Sequence, residues 1–243
     1  MQEGRCANGC GRVVEVDAMR DMMRAVVITT VGLLGTGCTT QQGHQASSSL
    51  IGEDLDGWEC YLADREAKVQ DVWHIQDGVL ICTGRPLGYL YTKSAYGDFV
   101  LRLEWRWPSG KKPGNGGVLI RMTGEHGIWP KSLEAQLNAD NAGDFWGLAG
   151  YVLSGPAERM RSSDHKEFGR LTNLKKIKAL EKPPGEWNTY EITAVRDTVT
   201  LAINGEEVNR ATGCDLNPGR ICLTSEGSEI HFRNLVVTPA KTF

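Results

Sequence analysis

The sequence predicts an all-β fold, a sandwich of two antiparallel sheets, on three observations. Apolar and polar residues alternate in run after run, the period of a strand with one buried face. Turn dipeptides separate these runs, at Asp56-Gly57, Asp77-Gly78 and Asn204-Gly205, in a chain with 29 glycines. The runs number about ten to twelve and recur at sandwich spacing. With 243 residues and 40% hydrophobic content, the chain is long and apolar enough for one such domain. A formal net charge of −3 gives no electrostatic case for a nucleic-acid partner.

In chain order, residues 1–38 lie upstream of the predicted domain. From Met23 a single positive charge, an apolar run and small residues lead to Cys38. This is the pattern of an exported chain, too short to span a membrane. Cys38 after Leu34-Gly35-Thr36-Gly37 is similar to a bacterial lipoprotein cleavage site, with its leucine one place further upstream than usual. It predicts a lipid anchor at Cys38 and a periplasmic or cell-surface location; the plainer alternative is a cleaved signal with Cys38 incidental. Glu3, Glu15 and Asp17 ahead of the positive charge make Met19, Met22 or Met23 the expected start of translation. Cys6 and Cys10 resemble half a metal site but lack a second ligand pair at finger spacing. Residues 39–53 are polar and read as a flexible tether. Residues 54–240 form the predicted single β domain.

Within it, Trp73–Cys82 reads as a hairpin around Asp77-Gly78. Phe99–Trp107 is the clearest strand: Phe99, Leu101, Leu103, Trp105 and Trp107 share one face, while Arg102, Glu104 and Arg106 share the other. Trp187–Val195 alternates too, Thr198–Arg210 is a hairpin turning at Asn204-Gly205, and Ile221–Thr224 and Glu229–Val237 close the domain. Residues 154–184 break the pattern. This basic stretch carries Arg159, Arg161, Lys166, Arg170, Lys175, Lys176 and Lys178 and reads as one long loop, with a short helix over 174–182 ended by Pro183-Pro184. Cys60, Cys82, Cys214 and Cys222 either pair in one of three ways or stay free thiols.

The chemistry concentrates in Asn115-Gly-Gly-Val-Leu-Ile-Arg121 and Lys131-Ser-Leu-Glu-Ala-Gln-Leu137. Alternation sends Leu133, Ala135 and Leu137 to the core and Glu134 and Gln136 outward. It likewise sends Val118, Ile120 and Met122 inward and Leu119 and Arg121 outward. If the two strands are neighbours, a carboxylate, an amide and a guanidinium meet on one sheet surface, the polar groups of a sugar site.

Those stretches, with Ala142-Gly-Asp-Phe-Trp146, Pro184-Gly-Glu-Trp-Asn188, Ile203-Asn-Gly205 and Ser225-Glu-Gly-Ser-Glu-Ile-His-Phe-Arg-Asn234, resemble the 3-keto-disaccharide hydrolase domain family from about Asp54 to Ala240. The resemblance implies a concanavalin A-like jelly-roll sandwich and cleavage of glycosides oxidised at carbon 3. Many members carry a tyrosine-rich version of the Ser132–Leu137 strand ending in an aspartate; Asn138 stands in that place here. A keto group at carbon 3 acidifies the hydrogen at carbon 2, so a base, an acid and a partner for the enolate suffice for elimination at carbon 1 and hydration. Candidates for catalysis are Glu134 as base or acid, Arg121 for the oxyanion, Glu226 as second carboxylate and His231 as proton carrier. Candidates for substrate binding are Gln136, Trp146, Asp144, Asn115 and Lys131, with His126 behind them. Each also has an ordinary reading: Glu134 as a solvated strand residue paired to Arg121, His231 as a simple hydrogen-bonding group, Trp146 as a loop anchor. The sequence establishes no cofactor. A divalent cation such as calcium suits a jelly roll of this class, though no tight ligand cluster shows. Two rivals share the architecture. A laminarinase-like hydrolase needs a close carboxylate pair, and on this strand Gln136 occupies the second place. A non-catalytic sugar-binding module needs only the polar groups and an aromatic.

Overall fold

The computed structural model describes residues 47–240. The signal-like segment, Cys38 and residues 39–46 of the tether lie outside the described residues. No helix among the described residues is long and apolar enough to cross a membrane.

The elements are β1 (Ser48–Ser49), β2 (Trp58–Leu62), a single turn of helix α1 (Val69–Val72), β3 (Trp73–Gln76), β4 (Val79–Cys82), β5 (Gly88–Thr92), β6 (Phe99–Arg106), β7 (Gly117–Thr123), β8 (Lys131–Gln136) and β9 (Phe145–Leu148). After a 3-10 turn (Ala157–Arg159) follow β10 (Met160–His165), β11 (Gly169–Leu174), β12 (Asn188–Val195), β13 (Thr198–Ile203), β14 (Glu206–Ala211), β15 (Arg220–Ser225) and β16 (Ile230–Pro239). They form two eight-stranded sheets. The back sheet runs β14-β13-β12-β6-β16-β4-β3 with β1 on β16; the front sheet runs β10-β11-β9-β8-β7-β15-β5-β2. The fold is the all-β sandwich that the alternation predicts.

β6 shows why. Phe99, Leu101, Leu103 and Trp105 are buried and Arg102 between them is exposed. The hairpins β3–β4 and β13–β14 turn where expected: Asp77 and Gly78 have φ of 53° and 73°, Asn204 and Gly205 of 52° and 85°. Two consecutive left-handed residues match the right-handed twist of the flanking strands. Between the sheets, Trp73, Leu80, Phe99, Trp105 and Phe232 of the back sheet meet Leu90, Val118, Ile120, Leu133, Ala135 and Leu223 of the front sheet. Each buried leucine, isoleucine, valine or phenylalanine among them contributes roughly 1.5–3 kcal/mol by leaving water.

The front sheet is apolar on its outer face as well. Tyr89, Tyr91, Leu119, Met122, Leu148, Leu171 and Cys222 form a second buried cluster there, with Tyr61, Trp129, Trp146 and Phe168 packed on it.

Three expectations change. The basic stretch is not one long loop: β10 and β11 pair from Met160↔Leu174 to His165↔Gly169 and extend the front sheet beyond β9. β10 is exposed along its length because it is an edge strand with neither face covered, which is why it lacks an apolar alternation. Residues 174–182 form no helix; Leu174 closes β11, and the Lys176 backbone N–H donates to Asp144 instead of to a helical carbonyl. The tether ends early, since Ser48 and Ser49 pair with Val237 and Val236 of β16. The four cysteines among the described residues are free thiols; Cys82, Cys214 and Cys222 are buried and Cys60 is exposed.

Candidate functional site

The site lies on the outer face of the front sheet. Leu133 and Ala135 face the core, so Glu134 between them faces out. Glu134 sits opposite Leu119 of β7 on one side and Trp146 of β9 on the other. That row continues through Cys222 and Tyr91 to Glu59. The next row aligns Gln136 with Gly117, then Thr224, Tyr89 and Tyr61. A third brings Asn115, ahead of β7, against Glu226, just after β15.

Gly117 is the centre of this arrangement because it has no side chain. A Cβ there would fall 2.8 Å from Glu134 Cγ and would collide with Oε1. The Glu134 carboxyl therefore lies over bare backbone. It is 6% exposed, and its Oε1 has no hydrogen-bond partner. Across β7, Glu226 accepts a hydrogen bond from Asn115 Nδ2. Asn115 Oδ1 is itself buried and unpartnered. Trp146 Nε1 donates to Gln136 Oε1 at 3.2 Å, which fixes both side chains beside Glu134.

Burial pushes the Glu134 carboxyl well above the usual carboxylate range, and the charge of Glu226 pushes the same way. Burial raises Glu226 too, while hydrogen bonds from Thr224 and Asn115 draw it back toward the ionised form. Two like charges enclosed together are costly, so the pair holds a proton, and it resides on the member with fewer donors. Of the two raised carboxyls, Glu134 is the more strongly raised and Glu226 the one with hydrogen-bond donors.

Of the residues expected here, Glu134, Glu226, Asn115, Gln136 and Trp146 do come together, and four do not. Arg121 points away. The pairing of β7 shifts register on both sides at this point, and Arg121 takes a left-handed φ of 50°. This bulge breaks the alternation, so Met122 goes to the outer cluster and Arg121 turns off that face. Its guanidinium is 1% exposed and donates to the carbonyls of Gly97 and Asp215 and to Asp98 Oδ1. His231 belongs to the back sheet, on its outer side, between core residues Ile230 and Phe232. Its Nδ1 accepts from Arg106 at 3.3 Å, and its Nε2 lies 2.9 Å from Glu229. Asp144 is consumed internally, accepting from the Lys176 backbone and Asn173 and pairing with Lys176 Nζ at 3.4 Å. Lys131 pairs with Asp215 at 2.9 Å, at the Arg121 end of β8.

Sequence reasoning missed Gly117, Thr224 and the outer tyrosines. Gly88-Tyr-Leu-Tyr-Thr92 carried a signal, since alternation puts Tyr89 and Tyr91 together opposite Leu90. It also missed Arg85, whose guanidinium lies 3.6 Å from where a Cβ on Gly227 would stand, next to Glu226. Arg85 makes no ion pair among the described residues. The divalent cation that the sequence reading allows would find few ligands in this group. Two carboxylates and one amide oxygen fall short of the roughly six to eight oxygens calcium takes, and no cluster of three His, Cys, Asp or Glu ligands occurs among the described residues. A concavity of about 530 Å³ opens on the opposite side of the molecule, over the back sheet. Its charged rim is internally satisfied by the Arg102–Glu191 and Arg233–Glu104 pairs, which leaves no group poised for chemistry.

Comparison with known proteins agrees with this architecture. The family described as 3-keto-alpha-glucoside-1,2-lyase-like domain matches residues 46–238. Among solved structures, one from Parabacteroides distasonis described as a candidate glycosyl hydrolase is 21% identical, with a TM-score of 0.56, covering 80% of this chain and 100% of that one. A β-glucanase from Bacillus licheniformis is 13% identical, with a TM-score of 0.54, covering 83% of this chain and 100% of its own. A carbohydrate-binding module from Bacillus subtilis is 12% identical, with a TM-score of 0.53, covering 75% and 95%. At these identities the likeness is one of fold, a jelly-roll sandwich shared by hydrolases and binding modules alike. No curated protein matches the chain.

Proposed function

The chain belongs to the 3-keto-alpha-glucoside-1,2-lyase-like domain family, and from that premise we propose that it cleaves glycosides whose sugar ring is oxidised at carbon 3. Family and fold support a carbohydrate-acting, hydrolase-type enzyme. The observation that carries the finer reading is the buried pair of Glu134 and Glu226 flanking side-chain-free Gly117.

Glu226, the less strongly raised of the two carboxyls, takes the proton from carbon 2, and the electron pair moves onto the carbon 3 oxygen as an enolate. Arg85, whose guanidinium stands 3.6 Å from the position of a Cβ on Gly227, is the candidate cation for that charge. The enolate collapses, the carbon 1–oxygen bond breaks, and Glu134 gives its proton to the departing oxygen. The products are an unsaturated 3-keto sugar and an alcohol; addition of water to the former yields the 3-keto sugar. The orphaned Glu134 Oε1 and Asn115 Oδ1 are acceptors left for sugar hydroxyls. Trp146 offers a ring face beside them. No step runs through a metal. The exported, lipid-anchored location at a bacterial membrane remains part of this proposal, on the pattern of residues 23–38.

The test is an assay of the purified domain on 3-keto disaccharides alongside their unoxidised parents. Turnover confined to the 3-keto compounds is expected. Cleavage of the unoxidised sugars identifies an ordinary glycoside hydrolase, and binding with no turnover identifies a sugar-binding module. The rate has a predicted pH signature. kcat/KM falls on the acid side as Glu226 takes up a proton and on the alkaline side as Glu134 loses its own. Because both carboxyls are raised, both limbs lie above the ordinary carboxylate range. A profile flat from the ordinary carboxylate range to neutrality excludes the pair as the acid and base.

A further inference from the structure

The turn that carries Glu226 is gripped by the loop between β6 and β7. Lys111 of the loop pairs with Glu229 of the turn. Gly114 lies so close to Ser228 that a Cβ on it would fall 2.6 Å from Ser228 Cβ and would collide with Oγ. Asn115 forms backbone bridges with Glu226 and Gly227, and its Nδ2 donates to Glu226 Oε2. The loop is fixed in turn to the chain around the end of β8. The Leu137 N–H donates to the Gly116 carbonyl at 2.7 Å and the Ala139 N–H to the Gly114 carbonyl at 2.8 Å. On its other side the turn rests on Gly84, whose carbonyl accepts from the Gly227 N–H at 2.7 Å. A Cβ on Gly84 would fall 2.5 Å from the Ser228 nitrogen. The turn is thus clamped between two glycines, each close enough to exclude a side chain.

We propose that this loop positions the base, with Asn115 as the positioning residue that aims the Glu226 carboxylate and Gly114 as the contact that seats its turn; the inference rests on the cleavage reading above. Glu226 stands one residue beyond β15. The strand ladder no longer orients it, so its aim depends on what the turn leans against. Thr224 shares its hydroxyl with the Gly117 N–H, at 2.7 Å, whereas Asn115 Nδ2 gives its hydrogen bond to Glu226. A donor on a carboxylate favours the ionised form, the form a base needs. The other charged groups beside Glu226 are Glu134 of β8, Arg85 ahead of β5 and the Lys111–Glu229 pair further along the turn. An aspartate at 115 keeps the shape of the asparagine, lacks the donor and adds a like charge.

The experiment follows two readouts at a series of pH values: the acid limb of kcat/KM on a 3-keto disaccharide, and the carboxyl carbon NMR signal of Glu226, assigned by its loss in Glu226→Gln. The proteins are the parent, Asn115→Asp, Gly114→Ala and the double variant Gly114→Ala with Ser228→Gly, with thermal melts as a folding control. In Asn115→Asp, limb and signal are expected to move together to higher pH, by about one to two units, and kcat/KM below the limb falls about 10–100-fold. Gly114→Ala moves both in the same direction. Ser228→Gly removes the atoms that the new methyl meets and returns both toward the parent. Lower activity with limb and signal unmoved in folded variants overturns the positioning role, and so does a Gly114→Ala defect that Ser228→Gly leaves in place. If the parent turns over no 3-keto compound, the cleavage reading fails by itself. The carboxyl signal then decides alone: movement to higher pH in both single variants supports the loop as the holder of Glu226, and no movement overturns it.

Discussion

Glu134→Gln is expected to lower turnover of a 3-keto disaccharide by about 10²–10⁴-fold, the contribution of a positioned general acid. The substitution keeps the shape of the side chain and removes only the transferable proton. Substrate binding, read by titration, is expected to hold near the parent's. The same variant carries a stability readout with a definite sign. Folding raises the Glu134 carboxyl, so above the ordinary carboxylate range the native chain holds a proton that the unfolded chain has lost. The stability attached to that proton is fully present below the unfolded value and is lost as pH rises through the folded one. Glu134→Gln flattens this decline, which urea midpoints measured from mildly acidic to alkaline pH will show. Unchanged turnover in a folded variant would remove Glu134 from the mechanism. A pH dependence of stability identical to the parent's would show that its carboxyl is not held protonated.

The second large effect is on folding. Arg121→Met is expected to cost roughly 3–5 kcal/mol, because a fully buried guanidinium is replaced while its acceptors stay behind. The Gly97 and Asp215 carbonyls lose their donor and Asp98 loses its cation. For a domain of this size the melting temperature falls by roughly 6–20 °C. The folded fraction of the variant is expected to keep the parent's kcat, since Arg121 does not face Glu134. A large drop in kcat with an unchanged melt would return Arg121 to the reaction.

Arg121 also shows where reading a sequence by alternation stops working. Period two holds only while every residue pairs in register. A single bulge at Arg121 moved Met122 to the outer face and turned the guanidinium from a catalytic candidate into a brace between loops. His231 alternated as expected, but alternation says which side of its own sheet a residue takes and not which sheet it joins. The pairing of Glu134 with Glu226 was equally hidden. They come from β8 and the end of β15, about 90 residues apart, and meet only because β7 separates them and Gly117 leaves the space between them open. The basic hairpin β10–β11 escaped notice because an edge strand buries neither face and so writes no apolar period.

The sequence by itself determined the all-β class, the two left-handed hairpin turns, the core-facing strands and the outward direction of Glu134 and Gln136. These follow from backbone geometry over a few residues, where side-chain period and glycine freedom act directly. Only the tertiary structure decided which strands neighbour one another, which carboxylate faces Glu134, where the outer tyrosines cluster and which charges serve as internal braces. Those are outcomes of strand order and register, set by burial summed over the whole sandwich, and no local stretch of sequence encodes them.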